Sequence, residues 1–376
     1  MKVETRKWAK NLWNVPANLP DAQLVIYFAG QGVLNSGERY LEIKAAYPSA
    51  HILGCSTGGE IFGDEVMDNS IVLSAISFAN TTIKTANIAI TNSEQSFGAG
   101  QKIAEQLVAP DLTNVFIVSD GTNVNGSELV RGIYDILDKK VVVTGGLAGD
   151  GADFKTTFVG VDSAPATNMI AAVGFYGTSL KIGYGSVGGW DAFGPKRTIT
   201  KARGNVLYEL DGSPALDLYK KYLGDDAENL PSSALLFPLS IHPADDEKHN
   251  IVRTVVGVDE AEKTMTFAGD IPEGYVAQLM RGDFDNLMEG AAQAAHLADF
   301  TKDGKNSLAI LVSCIGRKLL LGQRISDETE AVADIFERLV PTIGFYSYGE
   351  ICHQQFTGEC SLHNQTMTVT LFYEPD

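Results

Sequence analysis

The sequence predicts a mixed α/β protein of layered β-sheets flanked by helices, in two related domains. Three observations support this fold class. Short apolar runs such as LVIYFAG (24–30) alternate with stretches of helical period. Most of these runs end in glycine, as buried strands that enter tight turns do. Finally, ILGCSTGGEI (52–61) and TIGFYSYGEI (342–351) align without gaps, which indicates an internal repeat.

The elements follow in order along the chain. Apolar runs ended by glycine or polar residues predict the strands of the first half. Three stretches between them predict helices, one of which is ended by Pro110 and another opened by Ser127. The predicted strands are 23–30, 51–55, 70–79, 81–90, 114–121, 140–151, 156–160, 168–177 and 180–190, and the helices are 36–48, 96–110 and 126–137.

Predicted strands and helices also alternate in the second half of the chain. A strand and then a helix are predicted within 194–224, and two strands joined by an acidic turn within 249–274. A helix (282–300), a strand (307–317), a helix (326–340) and strands 342–351 and 366–374 complete the chain. We place the domain boundary near residue 190, giving domains 1–190 and 191–376.

Composition restricts the partners. The chain has 376 residues, 47 acidic and 29 basic side chains and a formal net charge of −18. Such a surface repels phosphate backbones and anionic lipids, so neither nucleic acid nor membrane is expected as a partner. The sequence has no signal-peptide core and no apolar run near the ~18 residues that span a bilayer. Four cysteines without a CxxC pair indicate reduced thiols in the cytoplasm.

The turn GCSTGG (54–59) fits known motifs poorly. A phosphate loop needs lysine and then serine or threonine after its second glycine, and Glu60 stands there instead. A dinucleotide turn opens a helix, which 61–69 does not resemble. The nucleophile elbow GxSxG is closer, but it also needs a following helix. A tight turn whose threonine and glutamate satisfy backbone donors explains the segment as well.

Five motifs, in chain order, resemble the signatures of the FIST family: GCSTGGEI (54–61), GGLAGDG (145–151), SCIGR (313–317), GFYSYGEI (344–351) and HNQT (363–366). The resemblance implies a FIST N-domain followed by a FIST C-domain, with sheets flanked by helices. It also implies a sensory role in binding small ligands such as amino acids. The chain carries no kinase, cyclase, receptor or F-box segment, so we expect any signal to pass to a separate output protein.

The resemblance also implies which residues contact the ligand. Strand-end turns offer N–H groups to a carboxylate, arginine can bind it bidentately, and glutamate can hold an ammonium group. The set therefore suits a zwitterionic ligand, without metal or cofactor, although hydrogen bonds across the domain interface explain the glutamates equally well. The residues are Cys55, Ser56, Thr57, Gly58, Gly59, Glu60, Gly146, Asp150, Cys314, Arg317, Tyr348, Gly349, Glu350, His363 and Asn364.

Two other function classes remain open. One is a thiol-dependent enzyme that uses Cys55 or Cys314 with a histidine from the second half. The other is a pure interaction scaffold. The Cys and His residues of 352–363 resemble a zinc site, but the two cysteines are more widely spaced than zinc ligands usually are.

Two structural expectations follow. Gly59 and Gly349 should occupy strand-end turns that bring Glu60 and Glu350 near the domain boundary. Cys314 should be the most reactive thiol, because a guanidinium three residues later would stabilise its thiolate. A buried, inert Cys314 is the alternative.

Overall fold

The computed structural model describes residues 1–230, 232–300, 304–353 and 358–375. These residues form three units that share one strand order, and a fourth unit inserted in the third. The predicted α/β class with sheets flanked by helices is confirmed. No helix in the described part of the chain is long and apolar enough to cross a membrane.

The first unit (2–77) shows the pattern: an edge strand, a parallel strand–helix–strand, a short segment that we call the hook, and a return strand. LVIYFAG is buried throughout because Leu24, Ile26 and Phe28 face other sheets while Tyr27 faces the helices. Its elements are β1 (Lys2–Ala9), β2 (Leu12–Trp13), β3 (Leu24–Gly30), α1 (Gln31–Leu34), α2 (Glu38–Ala46), β4 (His51–Thr57), the hook β5 (Glu60–Phe62) and β6 (Glu65–Met67), and β7 (Ile71–Ser77).

The second unit (82–176) repeats this order. Its second helix is capped by Asn125, whose Oδ1 accepts hydrogen bonds from Ser127 N (3.0 Å) and Glu128 N (3.2 Å). The helix begins at Gly126, where the predicted range 126–137 begins, and its N-cap is Asn125 and not Ser127. Its elements are β8 (Thr82–Ala89), α3 (Ser96–Leu107), β9 (Leu112–Ser119), α4 (Gly126–Ile136), β10 (Val142–Leu147), the hook β11 (Val159–Val161) and β12 (Met169–Tyr176).

The third unit (181–187 and 284–373) is interrupted by the insertion. Its third helix ends earlier than predicted because Glu337 (φ 51°) and Arg338 (φ 57°) leave the helical region. Labels follow chain order, so β14–β22 and α5 belong to the insertion. The elements of the third unit are β13 (Lys181–Val187), α6 (Phe284–Ala298), β23 (Ser307–Cys314), α7 (Ile315–Leu321), α8 (Ile325–Ile335), β24 (Thr342–Ser347), the hook β25 (Gly349–His353) and β26 (Cys360–His363), and β27 (Met367–Tyr373).

The inserted unit (190–282) has its own core and sheet. The predicted strand and helix within 194–224 are present, whereas 249–274 forms three strands and not two. The predicted domain boundary at 190 stays a prediction. The elements are β14 (Trp190–Ala192), β15 (Arg197–Arg203), β16 (Val206–Leu210), β17 (Ser213–Pro214), α5 (Ala215–Leu223), β18 (Leu239–His242), β19 (Ile251–Arg253), β20 (Val255–Asp259), β21 (Thr264–Phe267) and β22 (Val276–Gly282).

The three units exchange their hooks in a cycle. Each sheet has the order hook, second parallel strand, first parallel strand, return strand, edge strand, and its hook comes from another unit. The first unit supplies the hook of the third, the third that of the second, and the second that of the first. The sheets are β11-β4-β3-β7-β1-β2, β26-β25-β10-β9-β12-β8 and β6-β5-β24-β23-β27-β13.

The inner faces of the three sheets pack on one another and form a central core. Aromatic rings from different units meet there, with Phe28 4.5 Å from Phe345 and Phe175 5.5 Å from Phe372 between ring centroids. The helices cover the outer faces of the sheets. The carboxyl ends of the three parallel strand pairs therefore meet around one place.

Candidate functional site

The strand ends of the three units meet at what we call the turn junction (56–60, 147–150 and 346–350). Backbone hydrogen bonds join each pair of units, among them Gly58 N to Tyr346 O (2.7 Å), Gly149 N to Ser56 O (3.0 Å) and Tyr348 N to Leu147 O (3.1 Å). A Cβ at Gly149 would lie 2.7 Å from Gly58 N, so this approach requires glycine. The structure thus brings most of the predicted site residues together.

Glu60 enters the hook directly after this junction and is buried. One of its carboxylate oxygens accepts a hydrogen bond from Thr57 Oγ1, and the other accepts from Ser70 N (2.9 Å) and Ser70 Oγ (2.7 Å). Gly59 permits the turn because its φ is +144°. Burial raises the pKa of Glu60 to about 7, although these hydrogen bonds lower it.

Glu350 repeats this arrangement on β25. It accepts hydrogen bonds from Ser347 Oγ (2.6 Å), Thr366 N (3.2 Å) and Thr366 Oγ1 (3.1 Å), and burial raises its pKa to about 8. The gapless sequence alignment therefore corresponds to a matching set of contacts. Each glutamate lies on a hook paired with the other half of the chain, and the two are not on opposite outer faces.

In the second unit the equivalent carboxylate is Asp120, and not Asp150. Asp120 is buried and accepts hydrogen bonds from Thr157 Oγ1 (2.8 Å) and from Asn168 N (3.2 Å). Asn168 directly precedes the return strand β12, as Ser70 precedes β7. Asp120 follows the first parallel strand and lies outside the five sequence motifs, so those motifs could not identify it.

Several predicted residues contact only the protein core. Cys55 packs between the sheets, and burial raises the pKa of its thiol. Ser56 Oγ accepts a hydrogen bond from Phe158 N (2.9 Å). Gly146 lies opposite Glu350 in the sheet, where a Cβ would come within 2.9 Å of Gly349 O. These residues hold the sheets together.

Arg317 is fully buried and forms an ion pair with Glu328, which is also fully buried. Its Nε donates to Glu328 Oε2 (2.9 Å), and Nη2 lies 2.8 Å from the same oxygen. Nη2 also donates to Leu287 O (2.8 Å), and Nη1 donates to Gly188 O. The guanidinium that was predicted to bind a ligand carboxylate is thus committed to the protein.

Cys314 does not have the environment predicted for it. It is buried at the end of β23, and burial raises the pKa of its thiol, aided by the nearby Glu350. Arg317 lowers this pKa only weakly, because its charge is paired with Glu328. The structure therefore contradicts the prediction of a thiolate at Cys314.

We expect Cys360 to be alkylated first, since it alone of the four free cysteines is not fully buried. Cys55, Cys314 and Cys352 should react only when the protein opens. Timed labelling with iodoacetamide and mass-spectrometric mapping measures this order, with labelling in denaturant as the control. Faster labelling of Cys314 than of Cys360 would contradict the buried position of Cys314.

His363 and Asn364 lie in the segment that leads into β27. Burial lowers the pKa of His363 to about 4, so its imidazole is neutral, and Nε2 lies 3.0 Å from Cys352 O. The amide of Asn364 is buried, and neither of its polar atoms has a hydrogen-bond partner among the described residues. Its neighbour Gln365 donates to Leu235 O (2.9 Å), on the wall of a cavity.

This cavity of about 900 Å³ lies beside the turn junction, between the second unit and the inserted unit. Of the predicted site residues, only Tyr348 lines it. The walls combine apolar side chains with amide, hydroxyl and carboxylate groups. They include Ser93, Thr122, Asn125, Leu147, Phe154, Asn205, Asp226, Asn229, Leu235, Val255, Val256, Phe267 and Leu319.

Asp150 holds a loop at this cavity. Its carboxylate accepts hydrogen bonds from the backbone N–H groups of Phe154 (2.9 Å), Lys155 (2.9 Å) and Thr156 (2.7 Å), and from the hydroxyl of Tyr348. Phe154 stacks on Tyr348 with ring centroids 4.4 Å apart and an angle of 19° between the planes. The loop thus fixes an aromatic pair at the cavity.

Most of the cavity wall lies outside the motifs of the sequence. Asn205 lies in the turn between β15 and β16, and Asp226 and Asn229 lie in a 3-10 helix (Gly224–Asn229); neither segment carries a motif. The available signal was the position of GADF (151–154), which follows a strand-end glycine turn. Loops at the carboxyl ends of parallel strands commonly carry binding residues.

The comparisons with known proteins agree with the motif resemblance. The FIST N domain model matches residues 23–213 and the FIST C domain model matches residues 215–353. The chain is similar to the uncharacterized protein MJ1623 of Methanocaldococcus jannaschii, at 24% identity over 82% of this chain and 62% of that protein.

The chain thus spans less than two thirds of that relative's length. Among solved structures it is similar to a cyanuric acid hydrolase from A. caulinodans, with a TM-score of 0.34 and 9% identity, covering 99% of this chain and 98% of the other. The two tandem domain models cover nearly the whole sequence, and the chain belongs to the FIST family.

Proposed function

We propose that this protein is a small-molecule sensor whose cavity binds an amino acid or a similar polar metabolite. FIST domains are generally sensory domains that bind small ligands. The cavity of about 900 Å³ carries the proposal, since binding pockets for small molecules commonly measure ~300–1,000 Å³.

The chemistry of the walls suits a ligand with an apolar part and a cationic amine. Leu235, Val255 and Phe267 offer apolar surface, and Asp226 is the acidic residue among the lining side chains. The carboxylate of an amino-acid ligand can accept a hydrogen bond from the side-chain amide of Asn125, whose Nδ2 also donates to Asp270 Oδ1 (2.8 Å).

We propose no catalytic role for the thiols. Cys55 and Cys314 are buried, and burial raises the pKa of both, which opposes formation of the nucleophilic thiolate. The four free cysteines of the chain support the proposed cytoplasmic location. In our proposal, a separate output protein receives the signal.

The first test is thermal unfolding of the full chain against a library of amino acids and related metabolites. A true ligand at ~100 times its dissociation constant raises the free energy of unfolding by about 2.7 kcal/mol. Ala152→Trp, at the cavity, should abolish this stabilisation. The exposed control Ala164→Trp should leave it unchanged.

Recognition of the ligand's amine by Asp226 can be tested separately. Asp226→Asn should weaken binding of the identified ligand about tenfold, whereas Asp225→Asn, the adjacent exposed acid outside the cavity, should not. Equal effects of the two changes would argue against recognition of an ammonium group. Stabilisation that survives Ala152→Trp would place the ligand elsewhere.

A further inference from the structure

We propose that Phe154 is a stacking surface for the planar ring of a ligand, so that the cavity selects aromatic over aliphatic ligands. This inference rests on the proposed function and narrows its ligand class. Three features of the loop 150–156 support it.

The first feature is the exposure of the ring. Phe154 lines the cavity and 40% of its surface is exposed, although burial stabilises an apolar side chain. Tyr348, beneath it, is only 7% exposed and donates its hydroxyl to Gly151 O (3.1 Å) and Asp150. The tyrosine therefore forms a rigid base, and the phenylalanine presents surface to the cavity.

The second feature is the backbone of Phe154. Its φ of +53° lies in the left-handed region, which bulky residues other than glycine rarely adopt. Its N–H lies within hydrogen-bond distance of both Asp150 Oδ1 (2.9 Å) and the Tyr348 hydroxyl (3.2 Å). Strained conformations of this kind persist where the surroundings hold them, and they concentrate at ligand sites.

The third feature is the part of the cavity wall that the inserted unit contributes. The inserted unit contributes Val255, Val256 and Phe267 to the same cavity, and Val256 is 45% exposed. Apolar groups from two units thus border one space. A planar ring bound there can bury both of its faces, one of them against Phe154. Offset or edge-on aromatic contacts add about 2- to 12-fold in affinity beyond burial of the same area.

The test is isothermal titration of the full chain with L-phenylalanine and with 3-cyclohexyl-L-alanine, which has a saturated ring of similar size. We expect the wild type to prefer L-phenylalanine. Phe154→Leu should reduce this preference about 2- to 12-fold, and Phe154→Tyr should retain it. Phe284→Leu is the matched control, since Phe284 is 38% exposed and lies outside the cavity.

The outcomes separate this inference from the proposed function. Equal affinity of the wild type for the two ligands, or an unchanged ratio in Phe154→Leu, overturns the stacking inference and leaves amino-acid binding intact. Binding of indole that depends on Phe154, without binding of L-phenylalanine, supports stacking and contradicts amino-acid recognition. Binding of none of these probes overturns the stacking inference, while the metabolite library remains the test of the proposed function. If Phe154→Leu does not fold, Phe154→Met gives the same comparison.

Discussion

Replacing Arg317 by methionine lowers the free energy of unfolding by about 3–5 kcal/mol, because it leaves the Glu328 carboxylate buried without its cation. The carbonyls of Gly188 and Leu287 lose their donors as well. Equilibrium unfolding in urea measures the change, and Arg324→Met is the control. Arg324 pairs with Asp327 in the solvent, so its loss should cost under about 1 kcal/mol.

A double substitution tests why Arg317→Met loses stability. If the loss comes from an unpaired buried charge, Arg317→Met with Glu328→Leu should be more stable than Arg317→Met alone. The hydroxyls of Ser313 (3.1 Å) and Tyr346 (2.7 Å), which donate to Glu328, limit the recovery. A double variant no more stable than the single one would show that the carbonyl contacts, and not the charge, dominate.

Changing both Glu60 and Glu350 to glutamine removes a pH dependence of stability. Burial raises the pKa of these carboxyls to about 7 and about 8, so the folded state binds their protons more tightly than the unfolded state. Their contribution is complete below the unfolded pKa near 4.5 and is lost as the pH rises through 7 and 8. Each carboxyl contributes a slope of up to about 1.4 kcal/mol per pH unit.

Urea unfolding of the wild type and the double variant from pH 5 to pH 9 measures this effect. The stability difference should shift in favour of the variant as the pH rises, because only the wild type carries the two titrating carboxyls. Glutamine keeps an acceptor for Ser70 N and for Thr366 N. Parallel profiles would mean that the two carboxyls do not take up protons on folding.

Local patterns in the sequence predicted the strands and the repeat well. LVIYFAG forms a strand buried on both faces, and the gapless alignment of 52–61 with 342–351 gives matching contacts at Glu60 and Glu350. These features depend on neighbours close in sequence. Short-range burial patterns and turn residues encode them, so single-sequence reasoning can find them.

The arrangement of the site depends on contacts between residues that are far apart in the sequence. No local pattern shows that β5 pairs with β24, or that Arg317 turns inward to Glu328 on the next helix. The cavity wall needs turns of an inserted unit whose position the sequence does not state. The glycine motifs therefore lie at the turn junction, whereas no sequence motif marks the cavity beside it.

The exchange of hooks also constrains synthesis on the ribosome. When β10 emerges, its outer edge has no partner until β25 is made, and β5 must wait for β24, most of the chain later. Open strand edges pair readily with other chains, so the nascent protein is most prone to aggregation in this interval. The time needed to translate the segment between β10 and β25 therefore sets how long this edge stays open.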